Sequence, residues 1–218
     1  MTLLALSTFI PNINVLLPQL INQYGWLVYI GLFCLVFIET GVVVLPFLPG
    51  DSLLFLCGSL AAMSTHPLNV AVLAVLLSVA AILGDALNFE IGEHAGQYLT
   101  HTKWFQRIVR PQHLAQSEAF FAKHGRPAIF LGRFMPIIRT IIPFTAGASK
   151  MRYRDFALFN VIGGISWVLI VLSCGYMFGN IMVVKNHFEL IMLAIVVISL
   201  LPAAIMMLRK RGGVNNVD

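Results

Sequence analysis

Two apolar stretches of the chain carry charged residues of opposite sign. Residues 39–51 read ETGVVVLPFLPGD and contain Glu39 and Asp51, whereas residues 132–147 read GRFMPIIRTIIPFTAG and contain Arg133 and Arg139. A charged side chain at membrane depth costs about 3 kcal/mol on insertion scales, so four isolated ones would cost about 12 kcal/mol. We therefore expect the two acids to meet the two bases or to line a wet cavity.

These four side chains suit the binding of a phosphate group in a process linked to protons. The planar fork of arginine offers several donors and stays protonated, which predicts a phosphate clamp at Arg133 and Arg139. Carboxyl groups in a partly dry cavity take up protons near neutral pH, which predicts proton coupling at Glu39 and Asp51. If the four are neutral as a set when empty, an arriving phosphate displaces carboxylates from the arginines and favours protonation of one of them. The structural alternative is an ion-pair network that only holds two segments together.

A third polar group of residues lies in the phrase GDALNFEIGEHAG at 84–96, near the end of an apolar segment. Asp85, Asn88 and Gly92 follow a spacing of three and seven residues, so they share one helix face that should look inward. We predict a proton-coupling role for Asp85 and a substrate-binding role for Asn88. Alternatively, both side chains satisfy backbone groups that are freed where neighbouring helices break.

The composition predicts an integral membrane protein. Of 218 residues, 59% are hydrophobic and 11% are charged, and the mean hydropathy of +0.88 is too high for a soluble domain. Three scattered cysteines, Cys34, Cys57 and Cys174, favour packing over a disulfide or metal site. Because no G-x-S-x-G, H-E-x-x-H or P-loop motif occurs, we expect no enzyme, cofactor or metal. The net charge of +5 lies mainly in loops and implies no nucleic acid partner.

Two broken apolar runs predict re-entrant hairpins. The first covers about residues 26–63 and the second about 128–149, and the residues that shape them are Pro46, Pro49, Gly50, Pro136, Pro143 and Gly147. The arms of the first run are each too short for a comfortable span. Basic residues flank both ends of the second run, so both ends are expected in the cytoplasm. Hairpins of this kind are tolerated where their free backbone groups face protein or water.

The other segments complete an all-α polytopic fold. We expect spans at 69–92, at 156–180 and, as an extra C-terminal helix, at 189–208. A cytoplasmic loop at about 94–127 contains a helix at the membrane surface between Pro111 and Gly125, and a cytoplasmic tail follows at 209–218. At residues 1–23 we expect a helix that lies in the membrane interface and is not cleaved off as a signal peptide. Each half, at 26–92 and at 128–180, consists of a hairpin followed by a span, and the two halves would form an inverted repeat. Together with the C-terminal helix they make up a single domain at 24–208.

Four motifs are distributed over residues 24–180. They are ETGxxVxPFLPGDSLLF at 39–55, GDxxNFxIG at 84–92, GRFxPIxRTxxPxxAG at 132–147 and YRxFxxxNxxGxxxWV at 153–168. With these motifs the sequence resembles the DedA family of bacterial inner-membrane proteins. The resemblance implies two opposed re-entrant hairpins, shared with the VTT or SNARE-associated domain of eukaryotic lipid scramblases. It also implies links to proton-motive force, envelope integrity, cationic-peptide resistance and recycling of undecaprenyl phosphate. The family's essential acids fall on Glu39 and Asp51 and its essential arginines on Arg133 and Arg139, while Phe89 stands where relatives often carry Tyr.

The expected function is that of a proton-linked translocase in a bacterial inner membrane, with a cytoplasmic C-terminus. Its cargo would be a polyprenyl phosphate, such as undecaprenyl phosphate, so its partners are an anionic membrane lipid and protons. A proton-coupled transporter of a small ion or solute is one alternative, and a non-transporting scaffold for membrane homeostasis is another. The sequence is compatible with a homo-oligomer but indicates neither the oligomeric state nor the direction of transport.

Overall fold

A computed structural model describes residues 25–41, 50–62, 68–102, 105, 109, 111–135 and 138–182. The regular structure in these ranges is helical. In chain order the helices are α1 (Gly25–Gly41), α2 (Gly50–Ala61), α3 (Val70–His101), α4 (Pro111–His124), α5 (Ala128–Gly132), α6 (Ile142–Ala148) and α7 (Tyr153–Gly179). The predicted interfacial helix at 1–23, the C-terminal span and the tail lie outside the described residues, as do Pro46, Pro49 and Pro136.

Two helices are long and apolar enough to cross a membrane. They contain the segments Val70–Gly96 and Tyr153–Gly179, each of 27 residues, and confirm the spans predicted at 69–92 and 156–180. At a rise of about 1.5 Å per residue, each exceeds the hydrocarbon thickness of about 30 Å. Asn69 begins α3, since its side-chain oxygen accepts hydrogen bonds from the amides of the next helical turn. The same helix continues to His101, so the predicted loop at 94–127 is helical at its start.

Short helices replace full spans in both broken apolar runs. The 12 residues of α2 give a length of about 18 Å, and α5 and α6 have only 5 and 7 residues. The chain returns to α1 where α2 begins, because Gly50 lies directly against the carboxyl group of Glu39. Pro143 stands in the first turn of α6, where its missing N–H has no helical partner to lose. These breaks place charged residues at helix ends near the centre of the fold.

The second arm of each broken run packs on the long helix of the other half of the chain. Helix α2 packs on α7, and α6 packs on α3. A side chain at Gly58 would overlap the backbone of Leu172 and Tyr176, and one at Gly147 would overlap the backbone of Phe89 and Glu93 in the same way. The same match holds for glycines of the long helices, because Gly175 faces Phe55, Gly92 faces Phe144, Gly179 faces Ser59 and Gly96 faces Ala148. Small residues thus let the backbones approach closely in two equivalent contacts.

Alanine at Gly147 is expected to destabilise this packing. The new methyl group would overlap the backbone of Phe89 and push α6 away from α3, which should lower the free energy of unfolding by about 1–3 kcal/mol. Gly31→Ala is the matched control, because nothing lies within 4 Å of a Cβ at Gly31. That variant should be neutral or more stable by up to about 1 kcal/mol, the helix propensity gain. Unfolding in detergent measures both, and equal stabilities would contradict the close contact.

Helix α4 packs its apolar side against α6. Ser117 is fully buried and forms a hydrogen bond of 2.9 Å with the hydroxyl of Thr145. Leu114 and Phe121 join the apolar clusters around that helix. Gly125 ends α4 with a φ of +61°, which confirms the helix exit predicted there. The predicted surface helix therefore supports the second broken run directly.

Candidate functional site

Arg139 is the centre of the candidate site. It lies in the turn before α6, and its Nη2 donates to Glu39 Oε1 at 2.8 Å while its Nη1 donates to Asp51 Oδ1 at 2.5 Å. Glu39 comes from the end of α1 and Asp51 from the first turn of α2, where a helix dipole favours a negative charge. The side chain of Glu39 is 2% exposed, that of Arg139 is 16% exposed and that of Asp51 is 48% exposed. Both predicted acids therefore meet one arginine, and Asp51 is the less enclosed of the two partners.

Arg133 makes a different set of contacts. It follows α5 and pairs with Asp85 of α3, whose Oδ2 lies 2.8 Å from Nη2. Its other donors reach Asn160 of α7 at 2.9 Å (Oδ1) and 3.3 Å (main-chain oxygen), and the main-chain oxygen of Ala81 at 3.3 Å. The carboxylate that pairs with Arg133 is therefore Asp85, and not Glu39 or Asp51 as predicted. Because α5 packs on α7, the Arg133 side chain points between the two long helices and joins them.

Asn88 of α3 holds the backbone of both broken runs. Its Nδ2 donates to the main-chain oxygen of Thr40 at 3.2 Å and to that of Thr140 at 2.9 Å. An amide nitrogen has two hydrogens, so both are used by these carbonyl groups. Asn88 is fully buried, and its contacts favour the alternative in which it satisfies freed backbone groups over the predicted substrate contact. Asp85, in contrast, belongs to the charged cluster.

Aspartate at position 88 is expected to destabilise the protein. Asn88→Asp keeps the shape but replaces a double donor by an acceptor that faces two carbonyl oxygens, which should cost about 2–4 kcal/mol. The control is Asn180→Asp, since Asn180 is exposed and its side chain bonds only within the same helix end, to the oxygen of Tyr176. Thermal unfolding in detergent compares the two. A stable Asn88→Asp protein would show that this bridge does not hold the runs together.

A small cavity lies between the two ion-pair groups. Its volume of about 10 Å³ leaves room for about one water molecule. The residues that line it are Glu39, Thr40, Asp85, Arg133, Arg139, Thr140 and Trp167. The charged cluster contains three carboxylates and two guanidinium groups, so it carries one negative charge more than positive when all five are ionised. The set of four charges predicted from the sequence is therefore incomplete without Asp85.

Two residues of the site, Asn160 and Trp167, have no predicted role. Both lie on α7, seven residues apart, and therefore on one helix face. Asn160 accepts a hydrogen bond from Arg133 and donates to the main-chain oxygen of Ile82 at 3.0 Å. A buried amide in a long apolar helix was the available signal, because polar groups at membrane depth need partners. Among the residues predicted to shape the hairpins, Gly50 contacts Glu39, Gly147 contacts α3 and Pro143 lies in the first turn of α6.

Sequence comparison connects this arrangement to a protein family. Residues 48–177 match the VTT domain family, and Protein DedA of Escherichia coli K12 is 46% identical over 206 residues, which cover 94% of each chain. The chain belongs to the DedA family. Another DedA family relative is an uncharacterized membrane protein of Mycobacterium tuberculosis H37Rv, 42% identical over 198 residues that cover 87% of this chain and 86% of the relative. Inner membrane protein YghB of Escherichia coli K12 is 35% identical over 181 residues, or 82% and 81% of the two chains. No solved structure matches the chain.

These relatives agree with the helical architecture in one respect. Two of them are named as membrane or inner membrane proteins, and the described chain has two helices of spanning length. The matched region begins before Gly50 and ends within α7, so it contains α2 to α6, most of α7 and four of the five charged residues of the cluster. We conclude that this DedA family chain is a helical membrane protein and that its match to the VTT domain contains most of the charged cluster.

Proposed function

We propose that this DedA family protein is a membrane transporter that carries a polyprenyl phosphate, such as undecaprenyl phosphate, between leaflets in a proton-linked process that supports envelope integrity. The observation that carries the proposal is the pair of hydrogen bonds from Arg139 to Glu39 and Asp51. Two carboxylates in front of one guanidinium group occupy the positions that phosphate oxygens would take, since arginine binds both anions with the same planar fork.

Asp51 is the carboxylate that a phosphate would replace. Its side chain is half exposed, whereas Glu39 is buried, so Asp51 can turn away from Arg139 with less rearrangement of the surrounding protein. The cavity of about 10 Å³ is too small for a phosphate group beside both carboxylates. Arg139 therefore accepts a phosphate only when Asp51 moves away, and the arrangement with all ion pairs formed is a closed state.

Proton uptake follows from the charge of the cluster. The five groups carry a net negative charge before an anion arrives, and a phosphate adds at least one more. A buried carboxylate beside an added negative charge is costlier while ionised and becomes neutral by binding a proton. Glu39, which is buried against Gly50, is the group in this position. Binding of the phosphate and binding of a proton would therefore support each other.

The broken runs give the proposed transporter two related halves. We interpret 26–63 and 128–149 as re-entrant hairpins that enter from opposite faces, as in inverted-repeat transporters whose sites lie where broken helices meet. The matched glycine contacts of α2 with α7 and of α6 with α3 support this interpretation. Arg139 of the second run is bonded to the end of α1 and the start of α2 in the first run, so it joins the two runs. A change in the relation of the two halves would expose the site to one face or the other.

Reconstitution tests the proposal. Purified protein in liposomes that contain labelled undecaprenyl phosphate should transfer the label between leaflets, and an imposed pH gradient should change the rate. Glu39→Gln should remove most of the pH dependence, because it keeps the shape of the buried partner without its titration. If folded protein transfers no label between leaflets under any gradient, the small-ion transporter or the scaffold is favoured instead.

A further inference from the structure

The indole ring of Trp167 contacts both arginines of the site. The guanidinium carbon of Arg139 lies 5.2 Å from the ring centroid and that of Arg133 lies 5.8 Å from it. Both distances are within the range of cation–π attraction, for which tryptophan is the strongest aromatic partner. Trp167 is buried and lines the cavity between the two ion-pair groups. One side chain therefore touches both positive charges.

The matched glycine contacts of the two halves show that this ring has no counterpart at the corresponding place. Gly92 and Gly175 occupy equivalent places in the long helices, since each faces the matching phenylalanine of a short arm. Eight residues before Gly92 stands Gly84, and eight residues before Gly175 stands Trp167. At Gly84 a side chain would overlap Thr40, so that half requires a glycine. The other half carries the largest side chain at the same place, and its ring fills the space next to the arginines.

An aromatic ring holds a guanidinium group in a different way from a carboxylate. A carboxylate accepts the N–H groups of Arg139 and so competes with a phosphate for them. The face of an indole attracts the cation through its quadrupole and leaves those donors free for an oxygen acceptor. Trp167 can therefore keep its contact with Arg139 while Asp51 is exchanged for a phosphate.

We propose that Trp167 is a positioning residue of the phosphate site, whose ring holds Arg139 beside Arg133 while Arg139 exchanges Asp51 for a phosphate. The inference rests on the proposed function for its phosphate. It adds a residue outside the charged cluster that determines how well the site binds its cargo. The expected consequence is that phosphate affinity follows the strength of the indole quadrupole when size and shape stay the same.

Fluorinated tryptophan tests this consequence. The chain has three tryptophans, so Trp26→Phe together with Trp104→Phe leaves Trp167 as the sole position for incorporation. Farnesyl phosphate is the probe and farnesol is the neutral control. Increasing fluorination of the ring should lower the affinity for farnesyl phosphate step by step, by about threefold to tenfold in total, and leave farnesol unaffected. An affinity that stays constant through the series, in protein that binds the probe, would overturn the proposal.

A second measurement needs no lipid. Thermal unfolding of Trp167→Leu, Arg139→Met and the double variant gives the coupling between the ring and the guanidinium group. A coupling different from zero is expected, while the pair of Trp167 with the exposed Arg154 should show none. Zero coupling with Arg139 overturns the positioning role whatever the probe does. If unmodified protein fails to bind farnesyl phosphate but the coupling is present, the proposed function fails and Trp167 still positions the arginine.

Discussion

Lysine at position 139 is expected to reduce the transfer of undecaprenyl phosphate between leaflets by about a hundredfold while the protein stays folded. The positive charge remains, but the fork that bonds Glu39 and Asp51 at the same time is lost. An ammonium group binds a phosphate as a point charge, without the paired donors that match its oxygens. Reconstituted liposomes with labelled lipid measure the rate of transfer.

Two comparisons separate the fork from the charge. Arg154→Lys makes the same chemical change at an exposed arginine outside the cluster and should leave transfer unchanged. Arg139→Ala removes charge and fork together, and should be no more active than Arg139→Lys if the fork is what matters. Full transfer by Arg139→Lys would contradict the phosphate clamp. It would instead favour a site in which Arg139 only balances the charge of two acids, as a small-ion transporter requires.

The positions of the helices were largely predictable from the sequence. Hydropathy indicated both long helices, and Pro111 and Gly125 indicated the bounds of α4. Both kinds of signal are local in the chain. The continuation of α3 to His101 was not predicted, since charged and polar residues after residue 92 resemble a loop when read alone. Their helix is extended by contacts of Gly92 and Gly96 with α6, which is distant in sequence.

The partners within the charged site were only half predictable. Opposite charges in two apolar runs indicated that acids and arginines meet, and Arg139 does bond both expected acids. The pairing of Arg133 with Asp85 depends on how α5 rotates against α7 and α3, which residue spacing alone does not determine. The role of Trp167 depends on three segments that converge in space, so no local pattern indicates it.

Removal of Arg133 is expected to destabilise the protein far more than removal of the charge on Asp51. Arg133 and Asp85 are 5% and 7% exposed, so Arg133→Leu leaves an unpaired buried carboxylate and should lower the free energy of unfolding by about 3–5 kcal/mol. Asp51→Asn disturbs a pair with one half-exposed member, and its cost should stay near about 1 kcal/mol or less. Unfolding in detergent gives both values, and similar losses would contradict this difference.

The double variant Arg133→Leu with Asp85→Leu separates a structural role of Arg133 from a direct one. Replacing both members of a buried ion pair by apolar residues is often neutral or stabilising, so the double variant should regain most of the stability lost in Arg133→Leu. Arg133 has four hydrogen-bond contacts to the long helices, which leaves Arg139 as the arginine available to phosphate. The stable double variant should therefore retain a substantial part of lipid transfer in liposomes. A folded double variant without transfer would show that Arg133 or Asp85 takes a direct part in transfer, as predicted for both from the sequence.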